Sequence, residues 1–165
     1  MTQPALPRTM RAVVLDRFGD ADELAVRTIP VPQLDANDVL IRTDFAGVGE
    51  WDLFEREGGY ARMLGLEPRF PYILGSECSG TVMATGDQVS GHQRGDRVFA
   101  TAFLNAKGGL YAEFAVVNAG LVAAIPAGLT PEQASVMSGV GVTALRGLED
   151  VLSLRNDESV LILGA

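Results

Sequence analysis

Asp38-Val-Leu-Ile-Arg-Thr43 is the stretch from which the rest of the chain can be read. Aliphatic and β-branched residues between Asn37 and Asp44 describe a strand, too short and too abruptly bounded for a helix. The same pattern returns in Met10-Arg-Ala-Val-Val-Leu15 and Glu23-Leu-Ala-Val-Arg-Thr28. Further runs lie at 72–73, 80–84, 97–102, 111–117 and 121–125, with Gly, Pro, Asp and Asn between them. Short strands spaced in this way predict a small β-barrel or sandwich, a mostly β domain with a few helices.

One helix is predicted inside this region, over 50–57, where Asp52 and Arg56 stand four apart and are expected to pair on one face. The character changes at Leu129-Thr-Pro-Glu-Gln133. Thr130 can cap, Pro131 suits the first helical position and Gln133 completes a capping box, so a helix should run from Pro131 into the 140s. Gly139, Gly141 and Gly147 weaken it by roughly 1 kcal/mol each relative to Ala. After Arg155-Asn-Asp-Glu158 comes Ser159-Val-Leu-Ile-Leu-Gly-Ala165, an apolar run with the look of a parallel strand buried on both faces.

The bulk numbers exclude several classes. The chain has 165 residues, 47% of them hydrophobic, and a formal charge of -8, which offers nothing to a nucleic acid backbone or an anionic membrane surface. No apolar run is long enough to cross a bilayer and the first residues lack an apolar signal core, so a cytoplasmic location is expected. One cysteine, Cys78, and one histidine, His92, cannot build a four-ligand zinc cage from nitrogen and sulfur donors. Cys78 reads as an inert buried thiol and His92 as a solvated loop side chain.

In order along the chain, Met10-Arg-Ala-Val-Val14, the stretch from Ala46 to Tyr60 with its Gly-Val-Gly-Glu-Trp-Asp core, Leu74-Gly-Ser-Glu-Cys-Ser-Gly80, Gly95-Asp-Arg-Val98, Gly109-Leu-Tyr-Ala-Glu-Phe114 and Gly141-Val-Thr143 resemble the medium-chain dehydrogenase/reductase superfamily in its quinone-oxidoreductase branch. The resemblance covers nearly the whole chain. It implies an α+β architecture: a GroES-like β-barrel over 1–128, linking helices over 129–158, and at 159–165 the first strand of a Rossmann domain, cut off at the first glycine of its pyrophosphate loop. The remaining Rossmann domain is then expected from a further part of the protein or from a separate chain. A homodimer is a further expectation, and the chain alone should show no turnover.

The resemblance also implies a site. Across the alignment, the superfamily's catalytic zinc ligands fall at Gly49, Ser76 and near Gly139, none of which can replace them. The stretch from Phe99 to Gly108, where a structural zinc lobe would lie, has no cysteine. A zinc-free reductase is therefore expected, with NADP as cofactor and NAD as the second choice. Gly49, Glu50, Trp51 and Thr143 fall beside the nicotinamide, and Phe54, Tyr60 and Ser76 on the substrate side, with Glu77 next to Ser76. Gly49 stands where the branch usually has asparagine, and Phe54 where it usually has tyrosine. By spacing alone, Trp51, Phe54 and Tyr60 read equally well as packing aromatics. The expected reaction is hydride transfer to a quinone or α,β-unsaturated carbonyl, with an enoyl or alkenal reductase and a non-enzymatic binding or assembly module as the alternatives.

Overall fold

The computed structural model describes residues 6–164. Its elements follow the expected order. Strands β1 (Thr9–Leu15), β2 (Ala25–Pro30) and β3 (Asp38–Ala46) precede two short helices, α1 (Glu50–Arg56) and α2 (Gly59–Leu64). Strands β4 (Tyr72–Ile73), β5 (Glu77–Thr85), β6 (Arg97–Thr101), β7 (Phe114–Asn118) and β8 (Val122–Ala124) come next, and α3 (Pro131–Arg146) follows them. Helix α2 was not legible beforehand, because glycines flank it at both ends in left-handed conformations (Gly58, φ 74°; Gly65, φ 63°) and glycine ordinarily reads as loop.

All strand pairing is antiparallel. One sheet has the order β2-β1-β4 and the other β7-β3-β5-β6-β8. The segment 111–113, expected as part of a strand, instead joins the two sheets: Tyr111 O accepts from Val13 N–H, Glu113 N–H donates to Arg11 O, and Glu113 O accepts from Thr43 N–H. The sheets thus meet along one seam and remain open, without closing into a barrel. Glu23 lies in a single 3-10 turn ahead of β2 rather than within the strand.

Alternation along the strands sets the core. Val39, Ile41, Cys78, Val82, Val98, Leu110 and Val117 are all fully buried between the faces of the five-stranded sheet and its connections. Met10, Ala12, Val14, Ile73 and Ala112 form a second cluster behind β1. His92 is half-buried, its Nε2 3.2 Å from the Val122 carbonyl, so it is tied to β8 and not solvated as expected.

Helix α3 starts as its sequence requires. The Thr130 hydroxyl accepts from Gln133 N–H at 3.2 Å, and the Gln133 side-chain carbonyl accepts from Thr130 N–H at 3.0 Å. Its inner face is built of small residues, Ala134, Ser135 and Ser138, which lets the helix lie close on β5 and β6. Ser79 Oγ donates to the Pro131 carbonyl at 2.6 Å and fastens its first turn. The outer face carries Val136, Met137, Val140 and Leu145, all about half exposed.

The run Val160 to Leu163 differs from expectation. It pairs with no strand, and Leu161 and Leu163 are 82% and 84% exposed. A parallel strand draws its stability from neighbours on both sides and cover on both faces, and the described residues provide neither. Ala165 lies outside the described residues. Among them, no helix is long and apolar enough to cross a membrane.

Two substitutions test this account by thermal unfolding. Thr130→Ala should cost about 1 kcal/mol through loss of the cap. Ile41→Ala, at the fully buried centre of the sheet, should cost about 2–5 kcal/mol. A smaller cost for Ile41→Ala than for Thr130→Ala would contradict the placement of the core.

Candidate functional site

The site is organised by the ends of three elements. Strand β5 starts after Gly75, whose φ of 99° is a left-handed conformation and whose Cβ position is occupied by the Tyr111 ring. That turn presents Ser76. Helix α1 starts after Gly49, whose N–H donates to the Asp52 carboxylate at 2.7 Å, and it presents Trp51. The middle of α3 presents Ser138, Gly139 and Thr143.

Trp51 and Ser76 meet directly: the indole Nε1–H donates to Ser76 Oγ at 2.8 Å. The indole packs against Gly49, where a Cβ would come within 2.3 Å of the ring. The Cζ2 edge of the same ring approaches α3, where a Cβ on Gly139 would stand 3.5 Å from it. One side chain thus fills the space among Gly49, Ser76 and Gly139.

Behind Ser76, Glu77 is 2% exposed, its carboxyl directed at α3. Its Oε2 accepts from the Ser138 hydroxyl at 3.0 Å and from Gly139 N–H at 2.9 Å. Cys78, beside it, is buried as expected, and burial pushes its thiol up to about 12, so it stays protonated and unreactive at neutral pH.

A cavity of about 660 Å³ opens in front of this group, with Trp51, Tyr60, Ser76, Phe103, Ser138 and Thr143 among its lining residues. Four expected residues, Trp51, Tyr60, Ser76 and Thr143, therefore share one hollow. The Tyr60 ring is held edge-to-face between Phe54 (4.8 Å) and Phe103 (4.7 Å). Phe54 does not line the cavity but supports Tyr60 from behind. Gly49 lies against Trp51, and Glu50 is exposed at the start of α1, away from the cavity. Thr143 Oγ1 donates to the Gly139 carbonyl at 2.9 Å, which leaves its lone pairs free to accept. Phe103, Ser138, Val140 and Val142 were missed by sequence reasoning, since nothing in their local pattern shows that β6 and α3 converge.

The expected pairing of Asp52 with Arg56 does not occur. Asp52 is 3% exposed and accepts from the Tyr111 hydroxyl at 2.8 Å, whereas Arg56 Nε donates to the Gly19 carbonyl at 3.0 Å. The buried side of α1 thus carries its acids inward. Glu55, also buried and also missed, accepts from the Tyr72 hydroxyl at 2.5 Å. Burial raises the Glu55 carboxyl above the ordinary value of 4.5, and the nearby Asp52 adds to the shift. Tyr72 and Tyr111 are likewise pushed up, by burial first and by Glu55 and Asp52 second. Glu55 and Tyr72 line a second hollow, of about 760 Å³, on the far side of Tyr60, but of the expected site residues that hollow contains only Tyr60.

Comparison with known proteins bears on this arrangement. The family model for the alcohol dehydrogenase GroES-like domain matches residues 35–127. A mouse (Mus musculus) quinone oxidoreductase is 34% identical over 161 residues, which is 96% of this chain and 46% of the relative. The chain therefore spans about half the length of the curated relatives it matches. Among solved structures, the human synaptic vesicle membrane protein VAT-1 homolog-like protein superposes with a TM-score of 0.79 at 34% identity, over 90% of this chain and 45% of that one. A mycobacterial protein complexed with NADPH superposes with a TM-score of 0.76 at 30% identity, over 90% of this chain and 44% of that one.

Two outcomes follow from the geometry. Trp51 is the sole tryptophan, so Gly49→Asn should expel the indole from its place on Ser76, shift the intrinsic emission to the red and cost about 1–3 kcal/mol; unchanged emission would contradict the contact. Glu55 binds its proton more tightly folded than unfolded, so its contribution to stability is fully present below about 4.5 and is lost as pH rises through the folded value. The melting temperature of Glu55→Gln relative to the parent should therefore climb as pH rises above 4.5, and a difference independent of pH would contradict the shift.

Proposed function

Because the chain belongs to the alcohol dehydrogenase GroES-like family, in the quinone-oxidoreductase-like branch of the medium-chain dehydrogenase/reductase superfamily, we propose that it supplies the substrate side of an NAD(P)H-dependent oxidoreductase that reduces a quinone or α,β-unsaturated carbonyl without zinc. The observation that carries this reading is the convergence of Trp51, Tyr60, Ser76 and Thr143 on one cavity of about 660 Å³.

The family's zinc does not suit the residues present. The positions that the resemblance assigns to its ligands fall at Gly49, at Ser76 and near Gly139; the two glycines offer no side-chain donor atom, and the Ser76 oxygen already accepts from the N–H of the indole that fills the space among them. Metal-free chemistry is consistent with the substrate class. A simple ketone takes hydride readily only with a Lewis acid or a proton donor on its oxygen, whereas a quinone or enone is already electrophilic and spreads the arriving charge onto an oxygen that hydrogen-bond donors can stabilise.

A bound reduced nicotinamide would supply the hydride. The chain's own residues then position the acceptor. Tyr60 and Phe103 give an aromatic wall, Ser76 offers a hydroxyl at its foot, and Thr143 offers lone pairs to a carboxamide N–H. The NADPH complex of the mycobacterial relative favours NADP, with NAD as the second choice. In this reading residues 1–128 form the substrate-side domain, 129–158 the link and 159–165 the start of the nucleotide-binding domain. The half-exposed apolar row of Val136, Met137, Val140 and Leu145 on α3 supports cover by that domain. We place the protein in the cytoplasm, as a homodimer.

The test compares the 165-residue chain with a longer protein in which a relative's nucleotide-binding domain follows Ala165. NADPH and NADH are titrated into each by nicotinamide fluorescence, and oxidation is followed with 2-methyl-1,4-naphthoquinone. Binding and turnover in the longer protein alone are expected. If it binds neither nucleotide, the oxidoreductase reading fails and the domain is a binding module.

A further inference from the structure

We infer that Trp51 takes over the metal's place in a second sense: it aims the Ser76 hydroxyl at the oxygen of the substrate. This deepens the functional reading above and rests on it.

The inference starts from how tightly the indole is fixed. Gly49 beside it has no side chain to displace it, the Cζ2 edge of the ring lies close to Gly139 on α3, and the Nε1–H bond of 2.8 Å to Ser76 sets its orientation. A serine oxygen has one proton to donate and two lone pairs to accept with. Trp51 occupies one lone pair, and among the described residues no protein acceptor takes the proton. Ser76 is 5% exposed and lines the cavity, so its hydroxyl is left to serve whatever enters there. An oxygen that already accepts a hydrogen bond becomes a stronger donor in turn, because the chain of bonds polarises along its length.

The chemistry balances without a protein acid. A bound reduced nicotinamide would supply the hydride for a new C–H bond on the conjugated system, and the electron pair so displaced would move to the carbonyl oxygen. Ser76 stabilises that oxyanion by donating a hydrogen bond and keeps its own proton. A proton from solvent then completes the hydroxyl group. Trp51 touches the reaction only through Ser76 and is a positioning residue for it. Its ring, with Tyr60, Phe103, Val140 and Val142, gives the open cavity an apolar and aromatic lining.

The experiment uses the longer protein described above with 1,4-naphthoquinone labelled with ¹³C at its carbonyls. Affinity is measured by calorimetry and the bound carbonyl stretch by infrared difference spectroscopy. In the parent protein the bound stretch should lie lower than in Ser76→Ala, which has no donor at that place. Trp51→Phe keeps an aromatic ring and removes the N–H; its stretch should move toward that of Ser76→Ala while affinity changes by less than about threefold, a difference of under one hydrogen bond. Trp51→Ala, which also removes the ring, should lose about tenfold in affinity for the quinone, as expected for an aromatic contact. Thermal unfolding of the Phe variant checks that it is folded. An unchanged stretch in both Ser76→Ala and Trp51→Phe, with the quinone bound, overturns this inference and leaves the functional reading standing. Failure of naphthoquinone to bind the parent protein overturns both.

Discussion

The carboxyl of Glu77 holds this molecule's working parts together. Glu77 is 2% exposed, and a buried carboxyl must find hydrogen-bond donors, since leaving it unpaired away from water costs several kcal/mol. Its donors are the Ser138 hydroxyl and the Gly139 N–H, both in the middle of α3. A helical N–H in mid-helix ordinarily points to its own backbone, and its recruitment here fixes the helix against the start of β5 in both rotation and height. The spacing of Ser76, Thr143 and the cavity between them follows from that clamp.

Glycine at three places makes the same geometry possible. Gly139 brings α3 close enough for its N–H to reach Glu77, and a Cβ there would stand 3.2 Å from the carboxylate. Gly75 turns the chain so that Ser76 enters the cavity. Gly49 leaves room for the indole of Trp51. The site is in this sense carved out by missing side chains and then filled by one large one. Its neighbours Asp52 and Glu55 brace α1 from the inside by accepting from Tyr111 and Tyr72, so the helix that carries Trp51 is itself tied down by buried acid–phenol pairs.

Much of the fold was legible along the chain because its causes are local. The strands around Val39, Val82 and Val98 announced themselves by composition and punctuation, and the start of α3 by Thr130, Pro131 and Gln133, whose capping bonds form as the spacing requires. Local reasoning failed where a side chain had a choice of partners. Asp52 and Arg56 stood at helical spacing, but burial of that face gave Asp52 a better donor in Tyr111, fifty-nine residues away, and Arg56 a carbonyl at Gly19. The apolar run 160–163 read as a strand on composition, yet a parallel strand exists only as a member of a sheet.

The sequence by itself determined which residue types were available: a chain rich in short strands, with one cysteine and one histidine, glycines at 49 and 139, and an order of motifs that resembles one superfamily. Those facts exclude a zinc cage of nitrogen and sulfur ligands and select the architecture, because composition and turn chemistry act over a few neighbouring residues. Only the tertiary structure decided that Trp51 would pack against Gly49, bond to Ser76 and face Gly139, and that Phe103 would join Tyr60 at the cavity wall. Apart from the two-residue step from Gly49 to Trp51, those contacts span 25 to 88 residues of chain, and they are set by where a buried carboxyl found its donors and where a missing Cβ left room.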